Sequence, residues 1–394
     1  MHPATDGLRI YWREIIRVFL KLGVMSYGGP AIMGMMQAEI QERRAWLTKE
    51  RFIDGLALVN MLPGAGATQL SIFLGYARAG WWGGLIAGLC FIIPAFFIML
   101  ALTLAYARYG ALPQVRGAFY GINPVVVAFF AVAVFRLGRT AIKDWKQALL
   151  CIAGAAALAY TPLGIVPTLL LAGCIGVALY AAPRWGVIAA LTTTAGYGLV
   201  TTLRPQASWS AWLGAATAGA VLAPGIVQVG IFFFMVGAFT FGGGLTMLAF
   251  MHEQVVNQFH WLSAQEFLDG LALGQLTPGP ILMLAAFVGY KVAAVGGALV
   301  GAAAIFLPSF LLMLSVMPVF ERIQRIRWMK AALRGIGPVV IGMIAVSLFQ
   351  MLPNAVPGLI TACIALGTIG VLLIWRASPL ALMAGGGGLG LVLR

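Results

Sequence analysis

Two polar stretches broken by glycine and proline, each written twice in the chain, hold the residues best suited to bind a ligand. The first copy places Ser26, Tyr27, Gly28 and Gly29 ahead of Asn60, then Pro63, Gly64, Gly66, Thr68 and Gln69. The second places Thr240, Gly242, Gly243 and Gly244 ahead of Gln275, Thr277, Pro278 and Gly279. Proline suits the first turn of a helix, where its missing N–H would have no partner in any case. Helices opening after Pro63 and Pro278 are therefore expected to present unpaired N–H groups, with Gly64, Gly66 and Gly279 allowing close backbone approach. Such a helix start carries partial positive charge and suits an oxyanion, to which the nearby hydroxyls and amides add neutral donors. The competing reading is that these glycines serve packing and the hydroxyls satisfy backbone carbonyls. Four breaks in two matched pairs favour the binding site.

Acids are few. Glu39 matches Glu253 and Asp54 matches Asp269, and an acid beside a transport cavity is a candidate for proton coupling. Asp54 and Asp269 also follow Trp46-Leu47-Thr48 and Trp261-Leu262-Ser263 closely, so helix capping or interfacial ion pairing explains them equally well. Arg78 and Lys291, each just after a Gly-Tyr pair, either neutralise an anion or anchor the chain at the interface. Asn123-Pro124 and Gly337-Pro338 mark a matched kink or helix start. The four Cys (Cys90, Cys151, Cys174, Cys363) lie singly in apolar runs, and three scattered His form no metal spacing. There is no Walker motif. No cofactor, metal or catalytic residue is expected, and a membrane-embedded enzyme is the weaker reading.

The elements that must position these residues are membrane helices. The chain is 61% hydrophobic and 9% charged, and apolar runs over 81–106, 117–135, 163–180 and 335–352 reach bilayer length. Trp and Tyr gather near run ends, as in an interfacial belt. The net charge of +14 sits in short loops between these runs, where it sets orientation, so nucleic acid is not an expected partner. Residues 1–7 lack the apolar core of a signal peptide. The two copies are 214 residues apart at Gly23 and Gly237, Gly75 and Gly289, and Pro94 and Pro308, and 215 apart at Asp54 and Asp269.

The charges oppose one another between copies. Arg9, Arg13, Arg17 and Lys21 face 223–235, Arg43, Arg44, Lys49 and Arg51 face 257–265, and Arg136, Arg139, Lys143 and Lys146 face 350–358, stretches free of Lys and Arg. Conversely, Arg322, Arg325, Arg327, Lys330 and Arg334 face only Arg108 and Arg116. Basic loops stay cytoplasmic, which predicts two inverted repeats. Full crossings are expected at 81–106, 117–137, 147–160, 163–180, 294–318, 335–352, 358–374 and 379–393, with a linker crossing at 185–203. Of the 25 Lys and Arg, all but Arg108, Arg116, Arg204, Lys291 and Arg394 then lie inside. Because Arg51 and Arg78 both belong inside, 53–78 must enter and return, as must 9–42. Re-entrant half-helices of this kind are tolerated only where they line a protein-buried cavity. The expected fold is an all-α polytopic membrane protein with two inverted-topology repeats, 9–182 and 223–394, joined by a linker at 183–222 carrying one transmembrane helix. The N-terminus is expected in the cytoplasm and the C-terminus outside.

The stretches Ser26-Tyr27-Gly28-Gly29-Pro30, Trp46-Leu47, Asp54 and Leu62-Pro63-Gly64-Ala65-Gly66-Ala67-Thr68-Gln69-Leu70 resemble the first domain of the bacterial chromate ion transporter family. Phe241-Gly242-Gly243-Gly244, Gly274-Gln275-Leu276-Thr277-Pro278-Gly279-Pro280 and Phe306-Leu307-Pro308-Ser309-Phe310 resemble its second domain. Tyr27 and Ile32 stand where that family usually has Phe and His. The resemblance implies a two-domain inner-membrane carrier that exports chromate, a sulfate-like dianion, on an ion gradient. The expected partners are chromate or a related tetrahedral oxyanion such as sulfate, the lipid bilayer and, in a homodimer, a second copy.

Overall fold

The structure is a computed structural model and describes residues 7–26, 29–161, 165–184, 186–188, 190–194, 224–240, 246–319, 327–375 and 377–393. The first half comprises α1 (Gly7–Met25), α2 (Gly29–Met36, prolonged by a π-helical turn Gln37–Arg43), α3 (Lys49–Met61), α4 (Gly66–Tyr109), α5 (Pro113–Ala141), α6 (Trp145–Tyr160) and α7 (Ile165–Tyr180). The second comprises α8 (Pro224–Ala238), α9 (Thr246–Met251, prolonged by His252–Gln258), α10 (Ala264–Leu276), α11 (Leu284–Val316), α12 (Arg327–Ala355), α13 (Leu359–Ile374) and α14 (Pro379–Leu393). No strand occurs among the described residues. Four helices there are long and apolar enough to cross a membrane, at 66–109, 113–141, 281–316 and 328–355, with five shorter apolar helices beside them. The expected linker crossing at 185–203 lies largely outside the described residues, as do Tyr27, Gly28, Gly242, Gly243 and Gly244.

The duplication extends to backbone irregularities. Gly64 and Gly279 both have positive φ, 132° and 99°, and Ala45 and His260 are both at 51°. Helix α4 is broken at Ala79 and Gly80, and α11 at Ala293 and Ala294, 214 residues on. Each break folds its helix back on itself. A Cβ on Gly75 would strike the Gly83 carbonyl, and one on Gly289 would strike the Gly297 carbonyl, so both hairpins close through glycine. Gly55 of α3 then packs on Phe73, and Gly270 of α10 on Phe287. The segments 49–61 and 264–276 are each 13 residues long. At 1.5 Å per residue each spans about 20 Å, short of the roughly 30 Å hydrocarbon layer. They are half-helices by length, each paired with the segment that follows its proline break.

Local chemistry fixes where they start. The Thr48 side chain accepts from the Arg51 N–H, and Ser263 and Glu266 form a reciprocal capping box. Helix capping, one of two readings of Asp54 and Asp269, is thus done instead by Thr48 and Ser263.

The halves are interleaved. Helix α5 packs against α13 and α14, and α12 packs against α6 and α7. Glycines let the backbones touch: Gly121 and Gly117 lie on Gly386 and Gly390, while Gly335 lies on Ala172 and Gly176. The run Gly385 to Gly388 is therefore a packing device through Gly386 and Gly387. All four cysteines are free thiols.

Candidate functional site

The helix breaks meet across the two halves. The Gly64 N–H donates to the Thr240 carbonyl at 2.6 Å, and the Gly279 N–H donates to the Ser26 carbonyl at 2.6 Å. The break after α3 is therefore tied to the end of α8, and the break after α10 to the end of α1. The Ala65 N–H donates to Ser309 Oγ at 2.8 Å, and Gln69 Nε2 donates to the Pro63 carbonyl at 2.7 Å. The expectation of unpaired N–H groups directly after the prolines is thus corrected at Gly64, Ala65 and Gly279. Partners from the opposite half already fill those donors, because a buried N–H left without one is costly.

Ser26, Thr68 and Gln69 are fully buried, and Thr240 and Thr277 nearly so. Thr240 donates to the Val236 carbonyl and Thr277 to the Leu273 carbonyl, the ordinary backbone-satisfying role. By contrast, Ser26 Oγ, Thr68 Oγ1 and Gln69 Oε1 are buried with no hydrogen-bond partner among the described residues. Unpaired buried polar atoms are rare enough to require a reason, and these three flank the breaks of the first half. Pro63 is half-buried, and Gly64, Gly66, Pro278 and Gly279 are buried. Gly29 opens α2. Gln275 is half-buried and Asn60 is exposed, so Asn60 stands apart from the buried group.

Of the charged candidates, Glu39 and Arg78 belong to one cluster, and Asp269 and Lys291 to another. In one, Glu14 accepts from Arg78 at 2.9 Å, from Arg44 at 3.2 Å and from Trp46 Nε1 at 3.2 Å. The Arg78 guanidinium lies 3.8 Å from the Tyr11 ring centroid. Arg44 also reaches Glu39 at 2.8 Å, and that bond holds the Glu39 carboxyl below its usual range. Arg78 is thus paired with a carboxylate and an aromatic face, while its buried Nε has no hydrogen-bond partner among the described residues. Among the described residues Glu253 accepts from Asn257 and Gln258 on its own turn.

In the other cluster Lys291 pairs with Glu266 at 2.6 Å. Beside this pair Asp269, 6% exposed, accepts from Tyr106 Oη at 2.7 Å, Asn123 Nδ2 at 2.7 Å and Gln265 Nε2 at 2.9 Å. A cavity of about 820 Å³ borders it, lined also by Arg116, Tyr120, Lys291 and Asn354. Asp54, its counterpart, is exposed. Sequence reading passed over Glu14, Tyr106, Gln265 and Ser309 as site residues, and read Asn123 only as part of a kink. The one signal for Asn123 was its mismatch with Gly337 in an otherwise matched Xaa-Pro pair.

An all-helical chain with several apolar helices of membrane length, half-helices and interlocked breaks is a multi-pass membrane protein of the transport class. The chromate transporter family profile matches residues 13–178 and 227–391, and the chain belongs to that family. It is 31% identical over 389 residues to a chromate transport protein of Cupriavidus metallidurans, covering 96% of this chain and 92% of that one. It is 32% identical to a probable chromate transport protein of Synechococcus elongatus, covering 82% and 78% respectively. An uncharacterized transporter of Bacillus subtilis matches 40% of this chain with 89% of its own length, at 30% identity. These relatives are named as transport proteins, not enzymes. No solved structure matches the chain.

Proposed function

We propose that this protein is a secondary active carrier that exports chromate from the cytoplasm across a bacterial inner membrane, driven by an ion gradient. The observation that carries this reading is the reciprocal tie between breaks: Gly64 to Thr240 and Gly279 to Ser26. Interlocked broken helices from two repeats form the kind of junction at which carriers bind substrate and alternate access. The substrate assignment follows the relatives' names. The opposed charge bias of equivalent loops supports inverted repeats, with the N-terminus inside and the C-terminus outside.

The anion sits at this junction, beside Ser26, the break at 63–69, Thr240 and the break at 275–279. Hydroxyls of Ser26 and Thr68, which have no hydrogen-bond partner among the described residues, donate to it, and the N–H groups of the first turn of α4 face it with their partial positive charge. Neutral donors at a helix start offset part of the desolvation cost of a dianion without burying a fixed cation. Selectivity then follows shape and charge, so sulfate competes with chromate more strongly than phosphate does.

Uptake of radiolabelled chromate into everted membrane vesicles tests the proposal. Accumulation should depend on the protein and fall with sulfate as competitor, and the same assay with and without a protonophore reports whether a proton gradient drives it. Equal accumulation in vesicles lacking the protein would remove the transport reading. A C-terminal tag reactive only from the cytoplasm would remove the inverted topology.

A further inference from the structure

We propose that the Asp269 carboxylate is the proton-binding site of this carrier, loaded and unloaded through the cavity between α4, α5, α10 and α12. The inference rests on the transport reading and names the coupling ion, which that reading leaves open.

Three features single out Asp269. First, it is buried and yet borders a cavity of about 820 Å³ that water can enter. Buried carboxylates sealed from water cannot exchange protons, and exposed ones bind them without consequence for the fold. Second, only neutral donors hold it. Among the described residues no Lys, Arg or His nitrogen lies within 4.0 Å of its carboxylate, and the nearby Lys291 is spent on Glu266 at 2.6 Å. A salt-bridged acid is held in its charged form, whereas one held by neutral groups can populate either form. Third, the donors differ. Among the described residues, Oδ1 accepts from the amides of Asn123 and Gln265, while Oδ2 accepts only from the Tyr106 hydroxyl. An amide NH₂ can only donate, but a hydroxyl can turn and accept. A proton passed from hydronium in the cavity to Oδ2 leaves water behind, and the new O–H donates to Tyr106 Oη after that hydroxyl reverses.

The surrounding charges are few. Glu266 lies one turn earlier on α10, Lys291 is on α11, Arg116 and Tyr120 are on α5, and Tyr106 is on α4. Helix α12 contributes Pro353, Asn354 and Ala355 to the cavity, and α14 carries no titratable residue. The turn 252–258 meets α10 through His252 on Phe267.

The proton state reaches the anion site by a short mechanical path. Tyr106 and Asn123 belong to the first repeat and Asp269 to the second, so protonation changes a contact between repeats. From Asp269, α10 runs without interruption to Leu276, about 10 Å at 1.5 Å per residue. There it meets the break whose Gly279 N–H is tied to Ser26.

The test compares wild type with Asp269→Asn in proteoliposomes, using radiolabelled chromate. Two rates are measured: exchange at equal pH on both sides, and accumulation driven by an imposed pH gradient. The expected result is that Asp269→Asn exchanges chromate but loses gradient-driven accumulation. Accumulation equal to wild type overturns the proposal. If the variant is inactive in both assays, Tyr106→Phe decides. Losing one donor to the carboxylate should move the pH profile of exchange about one unit to the alkaline side, and an unmoved profile overturns the proposal. Infrared difference spectra of the purified protein between about pH 5 and pH 9 give a readout that needs no transport. A protonated-carboxyl band present in wild type and missing in Asp269→Asn is expected, and a band unaffected by the substitution overturns the proposal. Wild type that carries no chromate yet shows the Asp269 band would break the transport reading and leave the proton site standing.

Discussion

Asp54 and Asp269 hold equivalent places in two copies of one design, and their surroundings are opposite. Asp269 is buried under three donors while Asp54 is exposed. The difference comes from what each repeat offers the other. Where the first repeat presents Tyr106 and Asn123, the second has Phe320 and Gly337 at the matching positions, and neither side chain can donate. On the helix itself Gln265 is matched by Glu50, a like charge in place of a donor. Repeats can therefore keep a common backbone, down to the φ of a single glycine, and still place a buried acid on one side only. Duplication constrains packing, and the polar chemistry is free to diverge because it depends on a handful of side chains.

The largest effect should come from the feature the repeats share. Gly64→Val and Gly279→Val each place a branched side chain where φ is 132° or 99°. The new Cβ would lie 2.5 Å from Gln69 Nε2 and Ser309 Oγ in the first case, and 2.8 Å from Ala95 Cβ in the second. Both variants should insert normally and lose chromate transport to background in vesicle uptake. Loss in one variant alone would show that the two breaks are not functional equivalents.

Next comes the feature they do not share. Asp269→Ala leaves three donors facing an empty site and should lower stability by about 2–4 kcal/mol. Asp54→Ala, at an exposed position, should change it by less than about 0.5 kcal/mol. Thermal unfolding of the purified variants in detergent checks the pair, and equal losses would erase the proposed asymmetry.

A smaller contrast separates the ion pairs. Glu14 gathers Arg78, Arg44 and Trp46, so Glu14→Gln should cost about 1–2 kcal/mol by the same assay. Glu266→Gln keeps the capping role and loses only a partly solvated bond to Lys291, about 0.5 kcal/mol.

The smallest effect concerns Glu39, which the Arg44 bond holds below the usual carboxylate range. Its contribution is present above the unfolded-state pKa, near 4.3, and is lost as pH falls through the lower folded-state value. Wild type and Glu39→Gln should therefore differ by a few tenths of a kcal/mol at neutral pH, and the gap should close only in strong acid. A gap that closes above about pH 5 would show that Arg44 does not hold this carboxylate.

The half-helices were legible because their causes are local. Pro63-Gly64 and Pro278-Gly279 end one helix and begin another wherever they are placed, and α3 and α10 stop where that pairing requires. The re-entry of 53–78 was legible only indirectly, through Arg78, whose charge was expected back on the side of Arg51, and the fold-back at Ala79 and Gly80 was not read from the sequence. The candidate site was legible as a set of segments and not as contacts. Ser26 and Gly279 were both singled out, but nothing local says that one carbonyl accepts from the other's N–H. Glu14 escaped notice because it is one acid among basic neighbours on α1, and its value lies in Arg78, 64 residues away.

By itself, then, the sequence determined that this chain lies in a membrane, that it is built twice, and where its helices break. Those properties follow from apolar run length, from internal similarity, and from the backbone limits of proline and glycine, which act over a few residues. Only the tertiary structure decided that the breaks interlock, that Ser309 takes up the N–H of Ala65 from 244 residues away, and that Asp269 is buried between Tyr106 and Asn123. Such pairings depend on which helix faces pack together, and packing is a property of the whole fold: a donor 146 residues distant in sequence, as Asn123 is from Asp269, becomes a neighbour only once both repeats have closed on each other.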